Sequence, residues 1–405
     1  MSQRVIIIGG GQAGAQAAIS LRTGGFDGSI DLIARENWLP YQRPPLSKAV
    51  LQGDMEPERT EVRSQDFYTG KEISIHTGRT VTGIDRQQQL VHGETGETWA
   101  YDWLVLATGG RLRQLKIPGS DLAGVHYLRG LDESLAIGRE LTEGRRVTVV
   151  GAGYIGLEVA ASAVKLGCKV QVAETLPGVL SRGAVPQVAR YIQKKHEEQG
   201  VQFRLGRMAV RFLGDKQLSG VELDDGTVLD SDLAVVGIGI LPEQELAEQC
   251  GLEVNDGVVV DEFCRTSDPH ILAAGDNTRH LNRFLGSRSR MESVQNAVSQ
   301  GKIVAATILG QELPYDEPPW FWSDQYDVKL QMVGIPDDSD ELVTRGDPES
   351  GSFAVFSIRD GVLTGVQCIN DAKCYVMGKK LIGQRVSVSR QLLENPETDL
   401  KSLLS

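Results

Sequence analysis

Short apolar runs that end on glycine dominate the pattern of this chain. The stretch RVIIIG is apolar from Val5 to Ile8 and predicts a strand buried on both faces. It runs into GGGQAG, and an alanine-rich segment, QAGAQAAISLRTGG, predicts a helix closed by Gly24 and Gly25. A second strand, SIDLIA, follows. The same order returns in RRVTVVGAGYIGLEVAASAVKLGCKVQVAE: strand, glycine turn, helix, strand. Two further buried strands end on small residues, in YDWLVLATGGRLR and TSDPHILAAGDN. After the proline-bearing ELPYDEPP the pattern changes. VKLQMVG, SFAVFSI and VLTGVQCI predict strands, with Asp360-Gly361 as a hairpin turn between the last two. Strands alternating with helices predict an α/β chain with parallel sheets, followed by a smaller α+β region.

Composition changes this picture little. At 405 residues, 40% hydrophobic and 24% charged, the chain predicts two or three globular domains. No run is apolar enough for a membrane span, and the N-terminus does not read as a signal peptide, so a cytoplasmic protein is expected. The net charge of −12 argues against nucleic-acid binding. Cys168, Cys250, Cys264, Cys368 and Cys374 form no C-x-x-C pair and no zinc or iron–sulfur spacing, which predicts packing thiols and no metal site. The six histidines lie in scattered contexts and suggest no proton shuttle.

The two glycine turns carry the chemistry. In the first, Gly9 turns the chain, Gly11 lets a pyrophosphate approach the backbone, and Ala13 and Gly14 open a helix that packs tightly on the strand. The helix N-terminus offers N–H groups and positive potential to the phosphates. Arg35 and Glu36 end the second strand, and Glu36 is the candidate for ribose hydroxyls. In the second turn, Gly151, Gly153 and Gly156 repeat the spacing, with Tyr154 and Ile155 between them. Glu174 stands about 20 residues on, where an acid bonds the ribose 2′-hydroxyl and repels a 2′-phosphate. NADH is therefore expected over NADPH. Two fingerprints in one chain imply two dinucleotides, FAD and NAD(H), one handing hydride to the other. Ala107, Thr108 and Gly109 and, in the later strand, Asp276 are candidate flavin contacts.

The series GGGQAG, PYQRPPLSK, LATGGR, GAGYIGLE, GIGILP, AAGD and PPWFWSDQY resembles the FAD-dependent ferredoxin reductases of bacterial oxygenase systems, of the putidaredoxin reductase type. The resemblance runs from near residue 3 into the C-terminal region. It implies a glutathione-reductase-type fold with two Rossmann-like dinucleotide-binding domains. An FAD domain of residues 1–110 and 238–319 would enclose an NAD domain of 111–237, and an interface domain would occupy 320–405. It also implies contacts near FAD from Arg43, Pro45, Lys48, Val81, Arg129, Val294 and Trp320, and room for nicotinamide at Gly237 and Gly239. Lys48 would lie by the isoalloxazine, with Glu158 as its partner or as a contact of the nicotinamide amide. Trp322 would cover the flavin. Relatives carry an aspartate where Arg35 stands, so the adenosine contact is expected to differ here.

The resemblance also frames where electrons go. Disulfide reductases of this fold keep a thiol in the segment now written PPLSK, and Ser47 cannot take that role. Pro44 and Pro45 stiffen the segment, which reads as the start of a helix. With no internal thiol pair, electrons are expected to leave singly for a [2Fe–2S] ferredoxin that feeds an oxygenase. Arg279, Arg283, Arg288 and Arg290 form a basic loop suited to an acidic ferredoxin, though a merely solvated loop accounts for it equally well. Alternatives are a monodehydroascorbate-reductase-like enzyme, a rubredoxin reductase, or a redox-gated nucleotide-binding interaction protein.

Overall fold

The computed structural model describes residues 3–404. They form two compact units, each gathered from three stretches of chain. One comprises the chain up to Gln42, Glu58–Arg111 and Ile240–Pro319; the other comprises Arg43–Pro57, Leu112–Gly239 and the chain from Trp320 onward.

The first unit is built on a five-stranded parallel sheet. Its order is Ile271–Ala273, Trp103–Leu106, Arg4–Ile8, Ser29–Ile33 and Ile73–His76. The apolar run of the first strand is explained by its two covered faces. Val5 and Ile7 join one core, Ile6 and Ile8 another, and none is more than 6% exposed. Helix Gln12–Thr23 lies along helix Val294–Ile308, and a small residue sets their approach. A Cβ added to Gly301 would sit 2.8 Å from the Ala13 carbonyl oxygen. Two three-stranded sheets complete the unit: Val81–Asp85, Leu90–Gly93 and Thr98–Ala100, and Val258–Val260, Thr278–Asn282 and Ser287–Ser289.

The second unit repeats the parallel architecture. Its order is Gln202–Leu205, Lys169–Glu174, Arg146–Val150, Leu233–Val236 and Val125–Tyr127. An antiparallel sheet, Ala209–Gly214, Leu218–Leu223 and Val228–Asp230, shares a core with it through Phe212, Val221, Val150 and Val236. A third, antiparallel sheet runs Trp320–Gln325, Val328–Val333, Val362–Ile369, Ser352–Arg359 and Glu341–Asp347. Asp360 and Gly361 join two of its strands with φ of +51° and +75°, the paired positive angles of a type I′ hairpin. Helix Ala372–Gly383 packs on this sheet.

Two local expectations are corrected. PPLSK does not start an α-helix: Pro44–Ser47 is a single 3₁₀ turn, and Lys48 leaves helical space at φ −129°. The backbone N–H groups of Lys48 and Val50 both return to the Pro45 carbonyl, which closes the turn instead of propagating it. The arginine-rich loop is a β-hairpin, with Thr278–Asn282 and Ser287–Ser289 paired antiparallel.

Candidate functional site

In the first unit the glycine turn sits at the carboxyl end of its sheet. Gly9 has φ +120°, and a Cβ there would lie 2.1 Å from the Ala107 carbonyl oxygen, so glycine is required. Gly14 meets the same limit, 2.1 Å from the Gly9 carbonyl oxygen. Gly11 is different: a Cβ there would meet nothing within 4 Å. It caps helix Gln12–Thr23 without a side-chain hydrogen bond, and the first turn holds no acidic residue. An uncapped helix end behind an open glycine is the cradle a pyrophosphate fills. Around it, Asn277 donates to the Leu106 carbonyl at 3.1 Å and to Thr108 Oγ1 at 3.0 Å, and Thr108 donates to the Glu243 carbonyl at 2.6 Å. Among the described residues the buried Oδ1 atoms of Asn277 and Asn296 have no partner, which suits a polar ligand. Gly109 (φ +67°) follows the same strand, and Asp276 follows Gly275 (φ +97°). Val294 opens the helix whose Gly301 meets Ala13, and Val81 begins the edge sheet, packed on the second core.

The acidic end of the second strand is already engaged. Tyr41 donates its hydroxyl to Glu36 Oε2. Arg35 projects outward, its side chain 70% exposed, with a loose 3.8 Å approach to Glu243.

The second unit holds a matching cradle. A Cβ at Gly151 (φ +108°) would lie 2.4 Å from the Gly237 carbonyl oxygen, and one at Gly156 would lie 2.2 Å from that of Gly151. Gly153, like Gly11, faces open space and caps helix Tyr154–Lys165 without a side chain. Glu174 is tied to the turn: Oε2 accepts from the Ala152 N–H at 2.7 Å, and Oε1 accepts from the Leu176 N–H at 2.8 Å. Ile155 is 47% exposed at the head of the helix, an apolar surface beside the cradle. Tyr154 turns inward, its ring 4.7 Å from Phe321, and burial raises its hydroxyl well above the usual range. Gly239 (φ +97°) also faces open space.

The same unit brings Lys48 and Glu158 together. Lys48 Nζ lies 2.5 Å from Glu158 Oε2, and the two side chains are 21% and 7% exposed. Ser47 also donates to Oε2, at 2.5 Å, and Ser323 donates to Oε1 at 2.6 Å. Three donors on one buried carboxylate offset its desolvation. Beside this node, Ser134 donates to the Leu46 carbonyl, and Arg43 donates to that of Arg129 at 2.7 Å. Pro45 sits in the 3₁₀ turn between them. Ser323 was not singled out from the sequence, although it lies inside WFWSDQY. On its strand, Ser323 and Gln325 are buried, while Trp320 and Trp322 alternate to the other face, ring centroids 5.7 Å apart. Lys379 covers the Trp320 ring at 4.7 Å.

The basic hairpin carries less free charge than its sequence suggests. Arg279 and Arg290 share Asp256, Arg290 also meets Glu292, and Arg283 meets Asp316. Arg288 is exposed and donates to the Val260 carbonyl at 3.2 Å. All five cysteines are free thiols, four of them buried, and no disulfide joins them.

Comparison with known proteins accounts for this paired architecture. A curated relative, a ferredoxin–NAD(P)(+) reductase of Sphingomonas sp., is 40% identical over 99% of this chain and 97% of its own. A rubredoxin–NAD(+) reductase of Pseudomonas putida is 40% identical over 90% of this chain and 95% of its own. Among solved structures, the reductase in a covalent putidaredoxin reductase–putidaredoxin complex superposes with a TM-score of 0.96 at 37% identity, over 99% of this chain and 98% of that one. Residues 320–404 match the reductase C-terminal family. Residues 3–301 match the pyridine nucleotide–disulphide oxidoreductase family, and the chain belongs to it.

Proposed function

We propose that this protein is an NADH-dependent ferredoxin reductase that takes hydride from NADH and delivers single electrons to a [2Fe–2S] ferredoxin of an oxygenase system. The observation that carries the reading is the node at Glu158: a buried carboxylate paired with a partly buried lysine, with a serine hydroxyl at residue 47, in a family whose name denotes disulphide chemistry. FAD and NAD(H) are its cofactors, and bound FAD supplies the exchange between two-electron hydride chemistry and one-electron transfer. The domain reading that goes with it is an FAD domain at 1–110 and 238–319, an NAD domain at 111–237 and an interface domain from 320.

The chain's own residues have definable tasks. Gly11 and Gly153 admit the pyrophosphates to two helix N-termini. Glu174 accepts from the ribose of NADH and repels a 2′-phosphate. Lys48, fixed by Glu158, presents a cation where reduced flavin gathers negative charge. Trp322 shields that region from water. Ser47 carries a hydroxyl and takes up no electrons, and four of the five thiols are buried, so the electron pair leaves through a partner. Five unpaired thiols fit a reducing, cytoplasmic compartment. Arg288 is the hairpin's contribution to an acidic partner.

A second reading, reduction of rubredoxin, is favoured by the relative of that name at 40% identity. One experiment separates them. FAD-loaded protein is mixed with NADH or NADPH and with a [2Fe–2S] ferredoxin, a rubredoxin or monodehydroascorbate radical. Ferredoxin reduced fastest, with NADH preferred by about tenfold or more (~1.4 kcal/mol), is the expected result. Flavin reduction with no carrier accepted overturns the proposal.

A further inference from the structure

The carboxylate at Glu158 is the end of a longer buried chain. Ser323 bonds Glu158 Oε1 at 2.6 Å, Gln325 Nε2 bonds Ser323 Oγ at 3.0 Å, and Gln325 Oε1 faces His196 Nε2 at 2.8 Å. Tyr326 OH closes the chain on His196 Nδ1 at 3.0 Å. Every member belongs to the second unit. His196 is 0% exposed, Ser323 1% and Gln325 2%.

The anion fixes the direction of every proton. Glu158 only accepts, so Ser323 spends its one hydroxyl proton on it. Ser323 Oγ must then receive a donor, which is the amide NH₂ of Gln325. The amide oxygen therefore faces His196, which must carry its proton on Nε2. Neutral Nδ1 then accepts from Tyr326. Turning the amide around would ask Ser323 to donate twice with one proton.

Two features support this order. The His196 ring is packed edge-on by Phe203 and Tyr326, and burial lowers its pKa, which keeps it neutral. Tyr326 itself holds φ +54°, a strained angle for a bulky residue, at the hairpin that places its hydroxyl on Nδ1.

We propose that Ser323, Gln325 and His196 are positioning residues for Glu158, joined in a one-directional hydrogen-bond chain through which the tautomer of His196 reports the charge on Glu158. This rests on the reading of Glu158 as the partner of Lys48 in a reductase site. Without the carboxylate's charge, the whole chain can reverse, with Ser323 donating to Gln325 and His196 carrying its proton on Nδ1.

The test is histidine ¹⁵N NMR of the FAD-loaded protein, with stopped-flow reduction by NADH alongside. The wild-type protein is expected to show His196 as the Nε2–H tautomer alone. Ser323→Ala and Glu158→Gln should each produce a mixture of tautomers, and Ser323→Thr should restore the single form. Ser323→Ala should also slow flavin reduction about tenfold, with Ser323→Thr restoring it. An Nδ1–H tautomer in the wild type, or an unmoved tautomer in both Ser323→Ala and Glu158→Gln, overturns the chain, and the first of these needs no variant to fold. If the tautomer responds but Glu158→Gln reduces flavin at the wild-type rate, the chain stands and the reductase role of Glu158 falls.

Discussion

Ser47 Oγ lies 2.5 Å from Glu158 Oε2, so the hydroxyl proton at residue 47 is committed to the carboxylate that also binds Lys48. The short turn Pro44–Ser47 thus serves as a holder for a charge pair. Its consequences are measurable in stability as well as in turnover.

Lys48→Met removes the cation from a carboxylate that is only 7% exposed. A buried charge left without its partner costs about 3 kcal/mol. Urea unfolding should show a loss of that order, with much of it recovered in Lys48→Met/Glu158→Gln. Reduction by NADH should fall in both. A single variant as stable as the wild type would show that the pair contributes nothing to the fold.

The glycine turns separate binding from folding. Gly153→Ala places its Cβ in open space, so the thermal midpoint should stay within about 2 °C of the wild type, while NADH binding weakens about tenfold or more. Gly11→Ala should likewise fold and lose FAD affinity. Gly156→Ala differs, because its Cβ would lie 2.2 Å from the Gly151 carbonyl oxygen. It should lower the midpoint by several degrees at about 1–3 kcal/mol. Calorimetry with nucleotide titration distinguishes the two classes.

His280 makes the protein acid-sensitive. Burial first, then the nearby Arg288 cation, lowers its pKa to about 4, against 6.5 for a free histidine. The folded pKa lies below the unfolded one, so the unfolded chain takes up the proton first as pH falls. Stability is complete above about pH 6.5 and declines toward pH 4, by about 3 kcal/mol in all. Urea midpoints at pH 7 and pH 5 should diverge for the wild type and converge for His280→Asn.

Arg288 should act on the partner alone. Arg288→Glu is expected to slow ferredoxin reduction several-fold at low salt and to flatten its salt dependence, with NADH-driven flavin reduction unchanged. Arg290, 13% exposed and paired with Asp256 and Glu292, should cost stability when replaced by alanine. An effect of Arg288→Glu on flavin reduction alone would remove the hairpin from the docking face.

The local grammar of the sequence carried far. Glycine spacing located both cradles, and Asp360-Gly361 located a type I′ turn, because these depend on backbone angles set by neighbouring residues. The pairing of Lys48 with Glu158 came from resemblance, since 110 residues separate them. Ser323 and Gln325 escaped notice, and His196 read only as a surface or packing residue, whereas it is buried and hydrogen-bonded at both ring nitrogens. The bonds of Ser323 to Glu158 and of Gln325 to His196 join segments more than 100 residues apart, and a lone histidine in a polar helix carries no periodic signal. The pairing of charges in the basic hairpin was hidden for the same reason. Arg283 and Asp316 neutralise each other across 33 residues, which charge counting along the chain does not see.

The interleaving of the two units bears on biosynthesis. The first unit's sheet needs Ile271–Ala273 beside Trp103–Leu106, and the second needs the chain beyond Trp320 to cover Glu158. The first unit's sheet cannot close while the ribosome still holds the middle of the chain. At about 5–20 residues per second, the nascent strands wait many seconds with their edges unpaired. The protein's most aggregation-prone interval therefore precedes its completion, and its yield should respond to chaperone supply and to translation speed more than to the stability of the finished fold.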